Sequence, residues 1–105
     1  MHKAYPTTPA ELTTLTTPPQ HLGPALTALW LVRHNQWEAA HQLVQNANDA
    51  ESAWVHAHLH RKEGDDTNAA YWYAKAGRKP CSLPLEIEWE QIAQELLRHP
   101  HSNPL

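Results

Sequence analysis

Apolar side chains recur at the three- and four-residue spacing of an α-helix along most of this chain. Residues that end helices separate the periodic stretches: Pro18-Pro19, Asn35, Asn48-Asp49, Gly64 and Gly77. The pattern predicts an all-α protein of about five helices that pack as a compact bundle.

The first helix is expected to begin at Pro9, with Thr8 as its cap and Glu11 in its first turn. It should be short, because β-branched threonines and then Pro18-Pro19 follow. The other helices are predicted over about 19–34, 36–47, 50–63, 67–76 and 83–98.

Several residues should fix the helix ends. Asp49 and Asp66 are the expected caps of the helices that follow them. Asn35 and Gly77 fit the left-handed position that ends a helix, and His99-Pro100 should end the last one.

Composition narrows the class of protein. The chain has 105 residues, 41% of them apolar, which is enough for one domain with its own core. Its net charge of −3 argues against nucleic-acid binding, which needs a basic face. No apolar run is long enough to span a membrane, and residues 1–6 lack the apolar core of a signal peptide. The only cysteine, Cys81, cannot form an internal disulfide, so we expect a reducing, cytoplasmic location.

The sequence shows an internal similarity when it is aligned with itself at an offset of 30 residues. Glu38-Ala39-Ala40 then falls on Asn68-Ala69-Ala70, and Leu29 falls on Leu59. Two helix–turn–helix units are therefore expected, over about 19–47 and 49–77, with the helices at either side acting as caps.

The second unit carries a recognisable pattern. Ala69, Trp72, Tyr73 and Ala76 follow an Ala-x-x-Trp-Tyr-x-x-Ala order. This order resembles the second helix of a SEL-one-like repeat, a relative of the tetratricopeptide repeat, and residues 54–65 are similar to bacterial proteins of that type. The resemblance covers about residues 20–80. It implies stacked helical hairpins and a surface that binds a peptide or protein, and it implies no particular activity.

Histidine is unusually frequent, with nine in the chain. His56 and His60 are four residues apart and should share one helix face, the spacing with which a helix binds zinc or another transition metal. His41 on the preceding helix could supply a third ligand and Glu63 a fourth. The alternative is that these histidines are ordinary helix residues paired with internal groups, and that no cofactor binds. His58 should point elsewhere.

The leading hypothesis from sequence is a binding scaffold for an unknown protein or peptide, and catalysis stays open. The working face would carry five polar and aromatic side chains: His34, Trp54, His56, His60 and Arg61. Arg61 could instead pair internally with Glu86, Glu88 or Glu63.

Oligomeric state is open between a monomer and a homodimer. Trp30 lies off the apolar stripe of its helix, so either a flanking helix covers it or it is exposed. A dimer contact could form through Trp30 and Leu31, or through the helix that carries Trp89.

Overall fold

The computed structural model describes residues 5–98, which form six α-helices and one 3₁₀ helix, with no strand among them. The all-α prediction is therefore confirmed for this part of the chain. The helices are α1 (Pro9–Thr14), a 3₁₀ helix (Gln20–Leu22), α2 (Pro24–Arg33), α3 (Trp37–Gln45), α4 (Ala50–Lys62), α5 (Asp66–Ala76) and α6 (Leu85–Arg98).

Most helix ends follow the local chemistry of the sequence. Thr8 Oγ1 accepts from the Glu11 N–H at 3.1 Å, and Asp49 accepts from the Ser52 N–H at 2.9 Å. Such caps satisfy backbone donors that have no partner inside the helix. The predicted left-handed residue is confirmed after α2, where Asn35 has a φ of 62°.

The structure corrects two of the predicted helix boundaries. The helix expected over 19–34 is interrupted at Gly23, whose φ of 95° is compatible with neither an α-helix nor a 3₁₀ helix. Asp65, rather than Asp66, caps α5, because its Oδ1 accepts from the Asn68 N–H at 3.1 Å. The predicted stop at His99-Pro100 lies outside the described residues.

Helix α4 is the centre of the structure. It packs against α2, α3, α5 and α6, while α2 and α3 form one close pair and α4 and α5 another. Nine consecutive residues of α4, from 52 to 60, are buried, so even its polar side chains face other helices. Because of this position, the polar side chains of α4 can form buried clusters with residues of the neighbouring helices.

Helix α1 covers part of the core from the amino-terminal side. Leu12 is fully buried, and the Trp30 indole N–H donates to the Leu15 carbonyl oxygen at 3.0 Å. Trp30 is 5% exposed, so the flanking segment covers it, the first of the two outcomes left open by the sequence. None of the helices among the described residues has the length and apolarity required to cross a bilayer.

The two helix pairs correspond with an offset of 29 residues rather than 30. The left-handed residues Asn35 and Gly64 are 29 apart, and the buried alanines Ala40 and Ala69 are as well. The sequence comparison aligned Ala39 with Ala69, but Ala39 is exposed. Successive residues of an α-helix are about 100° apart around its axis, so a shift of one residue compares an exposed position with a buried one. Burial therefore favours an offset of 29 over the offset of 30 that residue identity suggests.

Candidate metal centre

Three imidazole rings meet between α3 and α4. His56 and His60 lie one turn apart on α4 with ring centroids 4.9 Å from each other. His41, on α3, lies edge-on to both, with centroids 4.7 Å from His56 and 5.3 Å from His60. One nitrogen from each ring can be chosen so that all three lie within 4.8 Å of one another. The structure thus brings together the three residues predicted as metal ligands.

The cluster contains polar atoms without partners. His56 is 2% exposed, and neither of its ring nitrogens has a hydrogen-bond partner. His60 is also buried, and its Nδ1 has none. A buried donor or acceptor left unpaired costs about 1–3 kcal/mol, so such atoms are uncommon in a core that serves packing alone.

Two tryptophans hold the rings in place. The Trp37 indole N–H donates to the Leu59 carbonyl oxygen at 2.9 Å, and its ring lies parallel to that of His41. Trp72, on α5, stacks on His56 with centroids 3.8 Å apart and an interplanar angle of 15°. The imidazoles are therefore packed between tryptophans from two helices, which limits their rotation.

The environment disfavours the charged form of two of these imidazoles, His41 and His56. Burial, followed by the proximity of His41 and His60, lowers the pKa of His56 to about 4. Burial and the neighbouring His60 also lower the pKa of His41, although Glu63 and Glu38 act in the opposite direction. Neutral imidazole is the form that binds a metal ion, so His41 and His56 are in their ligating form at pH 7.

Glu63 lies beside the cluster rather than within it. Its Oε1 is 3.8 Å from His60 Nδ1, and it forms a second group of potential ligands with His60 and Asp65. Among the described residues, no histidine, cysteine or carboxylate joins His41 and His56 as a fourth ligand. Glu63, considered from the sequence as a fourth ligand, lies beside His60 and is not part of the group formed by the three histidines.

The other residues expected on the working face lie apart from this cluster. His34 Nδ1 donates to the Trp30 carbonyl oxygen at 2.8 Å, and its ring stacks on that of Trp30. Trp54 is 8% exposed, and the guanidinium of Arg78 lies 3.4 Å from the centroid of its ring. Arg61 faces α6. Each of these three side chains therefore has a partner outside the histidine cluster.

A second buried cluster surrounds Glu88 on α6. His58 Nδ1 and Arg61 each donate to Glu88 Oε1 at 2.8 Å, and the Tyr73 hydroxyl donates to Oε2. Arg61 also donates to the Leu83 carbonyl oxygen at 2.7 Å. Of the internal partners considered for Arg61, Glu88 is the one to which it is hydrogen-bonded.

The sequence carried a signal for Glu88 that the prediction did not use. Glu88 is three residues after Leu85 and four before Ile92, so it falls on the apolar stripe of α6. It is 2% exposed. A single carboxylate on an otherwise apolar stripe indicates a buried charge with an internal partner, because an unpaired one would be too costly.

The histidine cluster suits a late first-row transition metal. Imidazole nitrogens bind zinc, copper and nickel, whereas magnesium and calcium prefer oxygen ligands. In a tetrahedral zinc site, nitrogens at about 2.0–2.1 Å from the ion are about 3.3 Å apart. The nitrogens here lie within 4.8 Å of one another, so a tetrahedral site requires them to converge by at most about 1.5 Å.

Comparison with protein-family models, curated proteins and solved structures finds no match for this chain. The function is therefore argued from the geometry described above.

Proposed function

We propose that this chain is a helical-repeat protein that binds one transition-metal ion through His41, His56 and His60. The observation that carries the proposal is His56, which is buried beside two other imidazoles with both ring nitrogens unpaired. A bound ion would give the unprotonated nitrogen of His56 a partner and turn a local cost into a gain.

The scaffold supports this role. Two ligands come from α4 and one from α3, so an ion would connect the first helix pair to the second. Trp37 and Trp72 already restrict two of the rings, which lowers the entropy lost when the ligands become ordered. Zinc is the first ion to test, because it accepts three imidazoles and has no redox chemistry to control.

The test uses protein purified without a histidine tag, stripped with a chelator and dialysed against zinc. We expect about one equivalent bound. At 100 times the dissociation constant the protein should gain about 2.7 kcal/mol of stability, which corresponds to about 10 °C or more in melting temperature. His56→Leu and His41→Ala should each abolish both effects.

His21→Ala is the matched control, because His21 is exposed and outside the cluster. It should bind zinc as the wild type does. Less than about 0.1 equivalent of zinc, copper or nickel in the wild type, with no thermal shift, would falsify the proposal. Equal loss in the His21 variant would show that zinc binds surface histidines instead.

The repeat architecture belongs to the same proposal. The pairs α2–α3 and α4–α5 have equivalent turns, in which the N–H of Gln36 donates to the Leu31 carbonyl oxygen and that of Asp65 to the His60 carbonyl oxygen, each at 2.9 Å. Buried Val44 and Tyr73 also match at the offset of 29. These correspondences support two tetratricopeptide-like units, with α6 covering the second.

A peptide-binding scaffold is the second candidate function, and a groove favours it. A depression of about 630 Å³ lies between the loop at Pro18, the start of α2 and the outer face of α3, where Leu43 is 37% exposed. Its lining is mainly apolar. An exposed apolar groove between paired helices can accept a peptide side chain.

Selection from a phage-displayed peptide library would test the groove. Peptides that bind there should lose binding to Leu43→Glu and keep binding to Ile87→Glu, a matched change at an exposed apolar residue of α6. Peptides that bind both variants equally, or the absence of any selected peptide, would remove the groove from consideration.

A further inference from the structure

The proposed ligand set stops at three residues. Within residues 5–98, the group that contains His41, His56 and His60 has no fourth histidine, cysteine or carboxylate. Zinc and its neighbours in the first row usually take four or more ligands, and sites with three protein ligands keep a position for a molecule from solution. The described residues therefore leave one coordination position of the proposed ion to be filled from outside the group.

The uncovered side of the cluster lies at His41. His56 and His60 are 2% and 7% exposed, whereas His41 is only partly buried. Trp72 covers one face of His56, and Trp37 covers one face of His41. A fourth ligand would therefore approach along the edge of α3 rather than from the core.

Charge decides which kind of ligand fits. A metal-bound imidazole is an uncharged ligand, so three of them leave the full double charge of a divalent ion uncompensated in a partly buried site. Charge in such surroundings is costly unless an opposite charge is close. The nearest acid is Glu63, whose side chain is 40% exposed and directed toward His60 Nδ1 at 3.8 Å. Glu63 thus lies beside His60 without a hydrogen bond to it, and its carboxylate is not part of the group formed by the three rings.

From the three-ligand geometry and the exposed side at His41, we propose that the metal ion keeps one position open and that this position takes a small monodentate anion or hydroxide. The proposal rests on the metal site proposed above. The ligand class is thus a small anion that exchanges with solvent.

Cobalt(II) substitution followed by azide titration tests the open position. The cobalt protein should show visible d–d bands of a low-coordinate site, and azide should shift these bands with saturation at one anion per cobalt. X-ray absorption of the zinc form should show three imidazole ligands and one further ligand that is not an imidazole. His41→Ala should lose the bands, and Glu90→Gln, a change at an exposed acid of α6, should keep both the bands and the azide response.

The outcomes separate the two proposals. If cobalt gives no d–d bands and does not bind, the metal site itself is wrong. If the bands appear but azide leaves them unchanged, the site exists and the open position is wrong. Glu63→Gln completes the test: a variant that responds to azide where the wild type does not would show that Glu63 fills the fourth position, which overturns the inference.

Discussion

Helix α4 carries two buried polar clusters with opposite character. His58 and Arg61 face Glu88 and take part in a network in which both carboxylate oxygens accept hydrogen bonds. His56 and His60 lie on another face of the same helix and leave three ring nitrogens unpaired. His56 and His58 are each 2% exposed, so burial does not distinguish them.

The difference between the clusters lies in their partners. The Glu88 cluster is complete within the chain, so we interpret it as structural: it fixes α6 to α4 and α5. The histidine cluster (His41, His56 and His60) is incomplete within the described residues, so we interpret it as a binding site. A satisfied buried network stabilises one arrangement of the core, whereas an unsatisfied one points to a group that the protein receives from outside.

The largest effect should come from Glu88→Ala. Removing this carboxylate leaves His58, Tyr73 and Arg61 without their shared partner, and breaking a buried ion pair from one side costs about 3–5 kcal/mol. Urea unfolding followed by tryptophan fluorescence measures the free energy. Glu90→Ala is the control on the same helix, because Glu90 is exposed and 4.0 Å from Arg33. A loss below 1 kcal/mol for Glu88→Ala would mean that the network is not structural.

Replacing one histidine from each cluster by leucine should give unequal effects. His58→Leu removes a charge-assisted hydrogen bond to Glu88 and should cost about 1.5–3 kcal/mol. His56→Leu removes two unpaired buried nitrogens, so the metal-free protein should lose less than about 0.5 kcal/mol or become more stable. Chemical unfolding in the presence of a chelator compares them. Equal losses would contradict the distinction between the clusters.

The two clusters should also respond to different ranges of pH. The folded state lowers the pKa of His56 from 6.5 to about 4, so below 6.5 the unfolded chain binds a proton that the folded chain excludes. Stability should therefore fall as pH falls, by about 2 kcal/mol between pH 7 and pH 5. Urea midpoints across this range measure the slope, and His56→Leu should flatten it. An unchanged slope in that variant would show that other groups account for it.

The contribution of Glu88 to stability should be lost only at lower pH than that of His56. Burial raises the pKa of its carboxyl group, but hydrogen bonds from His58, Tyr73 and Arg61 outweigh this effect and hold the pKa below its ordinary value of 4.5. Below 4.5 the unfolded chain binds the proton first, so the stability that Glu88 contributes is lost as pH falls further. His58→Leu should shift this loss toward higher pH without changing the slope above pH 5.

Local chemistry explains why the helices were predictable. Caps such as Thr8 and Asp49, and left-handed residues such as Asn35, act within three or four residues, so spacing in the sequence identifies them. The cap of α5 was predicted one residue late because Asp65 and Asp66 are both acceptable there. Only the hydrogen bond to Asn68 distinguishes them.

The candidate site was predictable only in part, because its contacts join distant segments. The pairing of His56 with His60 follows from helical spacing, and His41 was considered as a ligand because it lies on the preceding helix. The direction of Arg61 depends on where α6 packs, 27 residues further along the chain, which no local pattern determines.

A small effect should come from Glu95→Ala, which tests whether burial or charge accounts for the strength of the Glu88 cluster. Arg78 donates to Glu95 at 2.9 Å, nearly the same distance as that between Arg61 and Glu88. Both partners are more than a third exposed, so water replaces the lost contact and the cost should be at most about 1 kcal/mol. The same urea assay applies. If Glu95→Ala and Glu88→Ala lose similar amounts of stability, burial does not increase the contribution of an ion pair in this protein. The difference between the two faces of α4 would then need another cause.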